Sequence, residues 1–235
     1  MHSPAPQAID RIQQNFLAKG ERRLLNWLCP RMPKWVFPDL LTGIGMFGAL
    51  LIFAGYTTSL LNEDWLLLCL PGYVIQWFGD SMDGSLARFR RIERPRYGYF
   101  LDHSCDGLAT FLILAGIGFS PYVRLDIALI ALVGYLLLSV HAFLAVRVLG
   151  EMRLSYLSAG PTELRFVLIG LTLSMLIFGD RQRDMTTMTT FDWFVGTVGV
   201  VLLILFVVQT IRSCRELARQ EKRNPGPIPN AFGQD

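Results

Sequence analysis

Cysteine is scarce in this chain and unpatterned: Cys29, Cys69, Cys105 and Cys214 stand far apart, with no CxxC spacing. Such scatter excludes a paired-cysteine zinc site and a disulfide framework, and it fits a reducing face for Cys29, Cys105 and Cys214. An internal repeat, a low-complexity tract and a separate soluble domain are also missing. No secretory signal is expected, because the first apolar run begins near Leu40, after a polar, basic segment. The formal net charge is only +3, and no nucleic-acid partner is expected.

Apolar residues are what the chain has in excess. They fill 52% of 235 positions, with a mean hydropathy of +0.39, too apolar and too regularly segmented for an ordinary soluble domain. The expectation is an all-α, multi-pass membrane protein with six spans near residues 40–56, 65–78, 100–119, 127–148, 164–178 and 193–211. The second run has 14 residues against the ~20 needed to cross a hydrocarbon core, so its helix should continue through Asp80 and Asp83. Gly43, Gly45 and Gly48 give the first span a small-residue face for close packing. Upstream, residues 8–28 read as an amphipathic helix on the membrane surface, interrupted or bent near Gly20, with Trp27 and Trp35 as interfacial aromatics. The organisation expected is an N-terminal segment (1–37), a six-helix domain (38–212) and a basic, disordered tail (213–235). Six spans put both termini on one side. That side carries 19 of the 22 Lys and Arg, and Arg124, Arg181 and Arg183 lie opposite, so it should face the cytoplasm, in an inner (plasma) membrane.

Four carboxylates break the apolar pattern at helix junctions. Asp80 and Asp83 are three residues apart, and Asp102 and Asp106 are four apart, so each pair shares one face of its helix. Convergence from two neighbouring helices would set like charges together, which calls for a cation. Oxygen-only ligands suit a hard divalent ion such as Mg²⁺ or Mn²⁺, plausibly two of them. Gly84 leaves room for close approach, and the guanidinium of Arg88 on the same face suits phosphate. The bland alternative is a set of solvated helix-end acids.

Asp80, Asp83, Gly84, Ala87, Arg88, Gly98, Asp102 and Asp106 resemble the signature of the CDP-alcohol phosphotransferases (CDP-alcohol phosphatidyltransferases), DxxDGxxAR…GxxxDxxxD. Nine residues separate Arg88 from Gly98 where the usual pattern has about eight, which lengthens the loop. Pro38 to Thr42 is similar to the family's PNxxT, with Asp39 in place of Asn. Asp102-His103 followed by Asp106 is similar to the DHxxD form of the choline and ethanolamine branch.

The resemblance implies transfer of a substituted phosphate from a CDP-alcohol to an alcohol, with release of CMP, in phospholipid synthesis. It makes Asp80, Asp83 and Asp102 metal ligands, and Asp106 a ligand or the base that takes the acceptor's proton. Gly84, Ala87, Arg88 and Gly98 fall to the nucleotide and phosphates. It also implies a homodimer among membrane phospholipids. His103 is a second candidate base, although about 100° of helix separates it from Asp102. Thr162, Glu163 and Arg165 open the fifth span and stand as possible acceptor contacts, as does Arg147. Pro161 and Glu163 equally make a plain helix start, and Arg147 has the spacing to pair with Glu151. Arg90, Arg91, Arg94 and Arg96 read as topology determinants and lipid-headgroup contacts. CDP-diacylglycerol is the expected donor, because the chain lacks the longer C-terminal region of the eukaryotic-type aminoalcohol enzymes. The alternatives are a CDP-aminoalcohol donor with diacylglycerol as acceptor and, from another class, an ion-coupled transporter.

Overall fold

The computed structural model describes residues 16–149, 161–179 and 187–223. Its helices are α1 (Phe16–Leu28), α2 (Pro38–Thr58), α3 (Cys69–Arg90), α4 (Pro95–Phe119), α5 (Leu125–Leu149), α6 (Pro161–Phe178) and α7 (Thr190–Arg223), and no strand occurs among the described residues. Proline opens α2, α4 and α6, where its missing N–H is one the helix cannot use and its fixed φ is already helical. A 3₁₀ turn, Glu63–Leu68, leads into α3, and Asn62 caps it by accepting the Asp64 N–H at 3.2 Å. At its far end α3 stops on Arg91, which is left-handed with φ 57°; Ile92 N–H then bonds the Ala87 carbonyl at 3.0 Å and turns the chain toward α4.

The contacts between elements fix their directions. Gly45 lies against Asp80 and Gly55 against Cys69, so α2 and α3 run antiparallel. Gly116 lies against Phe53 and Tyr56, so α4 returns parallel to α2. Gly118 meets Leu125 and Ala128 across the α4–α5 turn, and α5 then runs alongside α7 through Gly199 against Ala131 and Gly134 against Leu202. Buried Asp192 ties this end together by accepting the Arg124 N–H at 2.7 Å and the Thr189 N–H at 2.9 Å. Inside the bundle the buried hydroxyls of Tyr73, Tyr56 and Thr172 join in a chain, at 3.1 and 2.7 Å, that links α3, α2 and α6. Paired hydroxyls of this kind keep polar groups satisfied away from water. His141 in α5 likewise meets Ser213 of α7 at 3.5 Å, the interhelical partner its burial called for.

Four helices are long and apolar enough to cross a membrane: Pro38–Thr58, Pro95–Phe119, Leu125–Val146 and Thr190–Lys222. The segment Leu164–Phe178 is apolar but shorter. As its short apolar run required, α3 continues unbroken through Asp80 and Asp83, and its 22 residues extend about 33 Å. Three expectations change. The described part of α1 is continuous through Gly20, so the interruption expected there is not seen. α7 is helical to Arg223, beyond the expected start of the tail. The glycine face is Gly45 and Gly48 with Gly72 and Gly79 of α3, whereas Gly43 points away with nothing within 4 Å.

At that seam the two backbones touch. A Cβ on Gly48 would meet Gln76 N and the Gly72 carbonyl, and one on Gly79 would meet Gly45 N and the Leu41 carbonyl. Gly48→Ala should therefore destabilise the protein by about 1–3 kcal/mol, the usual cost of overpacking. Gly43→Ala, in open space, should be neutral or stabilise by up to about 1 kcal/mol through helix propensity. Thermal unfolding in detergent measures both, and equal effects at the two positions would contradict the assigned seam.

Candidate active site

The glycine seam decides where the acids go. With α2 and α3 in backbone contact, Thr42 reaches Asp83 and its hydroxyl donates to Oδ2 at 2.6 Å. The Gly84 N–H donates to the other oxygen, Oδ1, so both oxygens of this buried carboxylate hold donors. Asp102 and Asp106 come from the N-terminal half of α4. α3 and α4 are not packed on each other as neighbouring helices; each packs on α2. The resulting cleft is lined by Thr42, Gln76, Asp80, Asp102, Cys105 and Asp106. Asp80 and Asp83 each lie close enough to Asp102 and Asp106 to feel their charge.

Asp80 is paired within the cleft. Arg165, from the second turn of α6, places Nη2 on Asp80 Oδ2 and Nε on Gln76 Oε1 at 2.8 Å. Gln76 and Asp80 are four residues apart on α3, so one guanidinium spans both. His103 does face the acids, despite its angular offset from Asp102. Its Nδ1 is 3.7 Å from Asp102 Oδ2 and 3.8 Å from Asp106 Oδ2. The ring is wedged edge-on to Tyr99, with centroids 4.3 Å apart, and tilted against Phe143 of α5 at 5.0 Å, which leaves Nε2 covered and without a hydrogen-bond partner among the described residues.

Around the cleft, Gly84 and Gly98 have no packing need to be glycine. A Cβ on Gly84 would meet the flexible end of Arg88, the nearest atom at 3.3 Å, and one on Gly98 would meet nothing within 4 Å. Ala87 is half-buried, and Arg88 is exposed with Nη2 on Ser85 Oγ at 3.3 Å. Arg147 falls in α5, and Thr162 and Glu163 in the first turn of α6; their side chains lie outside the described residues. Arg165 is thus the predicted acceptor-binding residue that the structure brings to the acids. Thr42 as the partner of Asp83, and Gln76 as the partner of Arg165, were not anticipated. Gln76 carried a signal, since it is a lone polar residue in an apolar run, four residues before Asp80.

The mouth of the site is stitched by side chains that the sequence assigned to topology and lipid. Arg90 donates to the carbonyls of Met32, Pro33 and Val36, the Pro33 contact being 2.8 Å, and so clamps the segment ahead of α2 onto α3. Arg94 pairs with Asp39, the residue in the position of the family's Asn, and lies over the Tyr97 ring with 4.1 Å to its centroid. The hydrogen bond to Asp39 holds the Arg94 guanidinium above its ordinary value. This pair anchors the lengthened α3–α4 loop to the first turn of α2. On α1, Glu21 accepts from Trp77 Nε1 and Ser81 Oγ, both at 2.8 Å, while Leu25 packs in a cluster with Cys29, Val36, Leu41, Met82 and Leu86. Burial pushes the Cys29 thiol up, as expected for an inert structural cysteine.

A helical bundle that collects four carboxylates beside an apolar, membrane-spanning body defines a class of membrane proteins built around an acidic polar site. Residues 35–213 match the CDP-alcohol phosphatidyltransferase family, and the chain belongs to it. Among curated relatives, it is 35% identical over 105 residues to cholinephosphotransferase 1 of Mus musculus, covering 42% of this chain and 26% of that protein. With cholinephosphotransferase 1 of Danio rerio it shares 31% over 97 residues, which is 39% of this chain and 25% of the relative. An archaetidylinositol phosphate synthase of Methanothermobacter thermautotrophicus is 33% identical over 129 residues, which is 54% of this chain and 63% of that one. The chain therefore spans about a quarter of the length of these two cholinephosphotransferases.

Removing the Arg90 guanidinium would leave three carbonyls without that donor. Arg90→Ala should cost about 1–3 kcal/mol, and Arg90→Lys should restore part of it. The measurement is again thermal unfolding, and an Arg90→Ala protein as stable as the parent would refute the clamp.

Proposed function

We propose that the protein transfers a substituted phosphate group from a CDP-alcohol to an alcohol acceptor, releasing CMP, in a reaction that depends on Mg²⁺ or Mn²⁺. The observation that carries this is the convergence of Asp80, Asp102 and Asp106 on one cleft, with Asp83 within reach of the charge of Asp102 and Asp106, in a chain of this family. The residues fit a divalent cation. Asp102, His103 and Asp106 offer ligand atoms within 4.8 Å of one another, and the oxygen-rich donor set suits a hard ion. Asp80, Asp83, Asp102 and Asp106 would hold the metal, with room in their number of oxygens for two ions. When bound, the cation neutralises the diphosphate and the charge that develops on the leaving CMP.

The chain's own groups do the rest. Gly98 leaves open space for the nucleotide, Gly84 is faced only by the flexible end of Arg88, and with Ala87 nearby the exposed Arg88 guanidinium meets a phosphate. Thr42 and the Gly84 N–H fix the orientation of Asp83, so that its carboxylate is aimed before any ligand arrives. Asp106 serves one of two roles: ligand of a second ion or, left unligated, the base that takes the proton of the acceptor hydroxyl as that oxygen attacks phosphorus and CMP leaves. His103, with Nε2 covered and Nδ1 toward both acids, stands beside Asp106 rather than over the acceptor. Arg165, with Thr162, Glu163 and Arg147, serves the acceptor side.

Two donor pairings are distinguished by assay. CDP-diacylglycerol with a soluble alcohol is the pairing preferred from sequence. His103 against Asp102 and Asp106, together with similarity to relatives named as cholinephosphotransferases, supports a CDP-aminoalcohol with diacylglycerol as the second. In the membrane we place α2 to α7 as six spans with the site and both termini cytoplasmic, in a plasma membrane, and the protein as a homodimer. Exposed Leu24 and Trp27, with Arg22 and Arg23 nearby, support α1 as an interfacial helix.

The test is CMP release by purified protein with Mg²⁺ or Mn²⁺, offering each donor with its acceptors. Metal-dependent release with one pairing is expected, and silence in both arms would favour the transporter reading. Asp83→Asn should abolish release without unfolding the protein, and persistent turnover would reject the site. Thr42→Val should lower turnover by about 10–100-fold through misaimed Asp83, and unchanged turnover would remove Thr42 from the account. His103→Ala should slow release by about tenfold or more on the same reasoning, whereas unchanged turnover would leave the imidazole as packing between Tyr99 and Phe143.

A further inference from the structure

Asp80 and Asp83 sit three residues apart on one helix face, yet their oxygens are held by different kinds of group. Asp83 holds two neutral donors, the Thr42 hydroxyl and the Gly84 N–H. Neutral donors orient a carboxylate without cancelling its charge, so a cation binding there gives up nothing. Asp80 Oδ2 instead holds a full positive charge, the Arg165 guanidinium, and the fork is completed by Gln76 at 2.8 Å. The pair is shielded, with the Arg165 and Asp80 side chains 14% and 23% exposed, so solvent screens it less than a surface ion pair. A divalent ion drawn to Asp80 would face the guanidinium at close range, and the two positive groups would compete for the single negative charge of one carboxylate.

We infer that Arg165 is a built-in counter-ion which the divalent cation displaces from Asp80. Arg165 is then a positioning residue. While paired it offsets the mutual repulsion of Asp80, Asp102 and Asp106. Once displaced, with Gln76 remaining as its second anchor, its guanidinium stays at the cleft and turns toward an anionic group of the substrate. Cation and substrate are thereby ordered: the substrate's anion gains its guanidinium only after the metal has taken Asp80. This rests on the metal reading of the site proposed above.

The experiment is an Mn²⁺ titration of purified full-length protein in detergent, followed by the loss of free Mn²⁺ EPR signal, with no substrate present. Arg165→Gln should bind Mn²⁺ at least about tenfold more tightly than the parent, because a competing like charge has been removed. Gln76→Ala, which leaves Arg165 in place but removes half of its anchorage, should move the affinity in the same direction by a smaller factor and keeps the test alive if Arg165→Gln does not fold. Arg165→Lys, which keeps the competing charge, should stay near the parent value. Equal or weaker Mn²⁺ binding in Arg165→Gln, or in Gln76→Ala if it is the variant measured, overturns the exchange while leaving the metal reading intact. Absence of Mn²⁺ binding in the parent and in every variant overturns both. A purely structural Arg165 would lower the melting temperature without tightening Mn²⁺.

Discussion

Asp80, Asp83, Asp102 and Asp106 are like charges drawn together at one end of an apolar bundle, and their repulsion is the constraint the surrounding structure answers. Folding supplies the force that opposes it through a backbone-to-backbone seam. Gly45 and Gly48 of α2 accept Gly72 and Gly79 of α3 with no side chain between them, and that contact delivers Thr42 to Asp83. α4 then packs on the other side of the same helix and brings Asp102 and Asp106 to the cleft. The acids meet because α2 is thin at this level, and a larger residue in the seam would move two of the four.

The answers to the repulsion differ from acid to acid. Asp83 is stabilised by oriented neutral dipoles and Asp80 by a guanidinium, while Asp102 and Asp106 have His103 Nδ1 at 3.7 and 3.8 Å. A uniform set of counter-charges would have extinguished the field that attracts a divalent ion. The peripheral cations spend themselves elsewhere. Arg90 is committed to three carbonyls, and Arg94 to Asp39, so these cations fasten the segment ahead of α2 to α3 and the first turn of α2 to the start of α4.

Spacing made the acid cluster and the continuation of α3 legible in the sequence, since both follow from helical periodicity and the length of an apolar run. The same logic fails where tertiary packing decides. Gly43 shares the composition of the seam but faces open space, because only the register of α2 against α3 selects Gly45 and Gly48. His103 was doubtful by angle alone, and it reaches the acids because Tyr99 and Phe143 hold the ring. Arg90 and Arg94 read as generic cations, since nothing local reveals that carbonyls or Asp39 will lie opposite them. Arg165 was legible as a residue near the site and illegible as a partner of Asp80, 85 residues away in sequence.

The central claim is that the carboxylates create a cation-dependent site for the CDP group. Equilibrium binding of CDP to the purified protein, with Mn²⁺ and then with EDTA, tests it without turnover or a chosen acceptor. The account predicts saturable binding that needs Mn²⁺ and is lost in Asp102→Asn. CDP binding of equal strength in EDTA, or undiminished in Asp102→Asn, would contradict it.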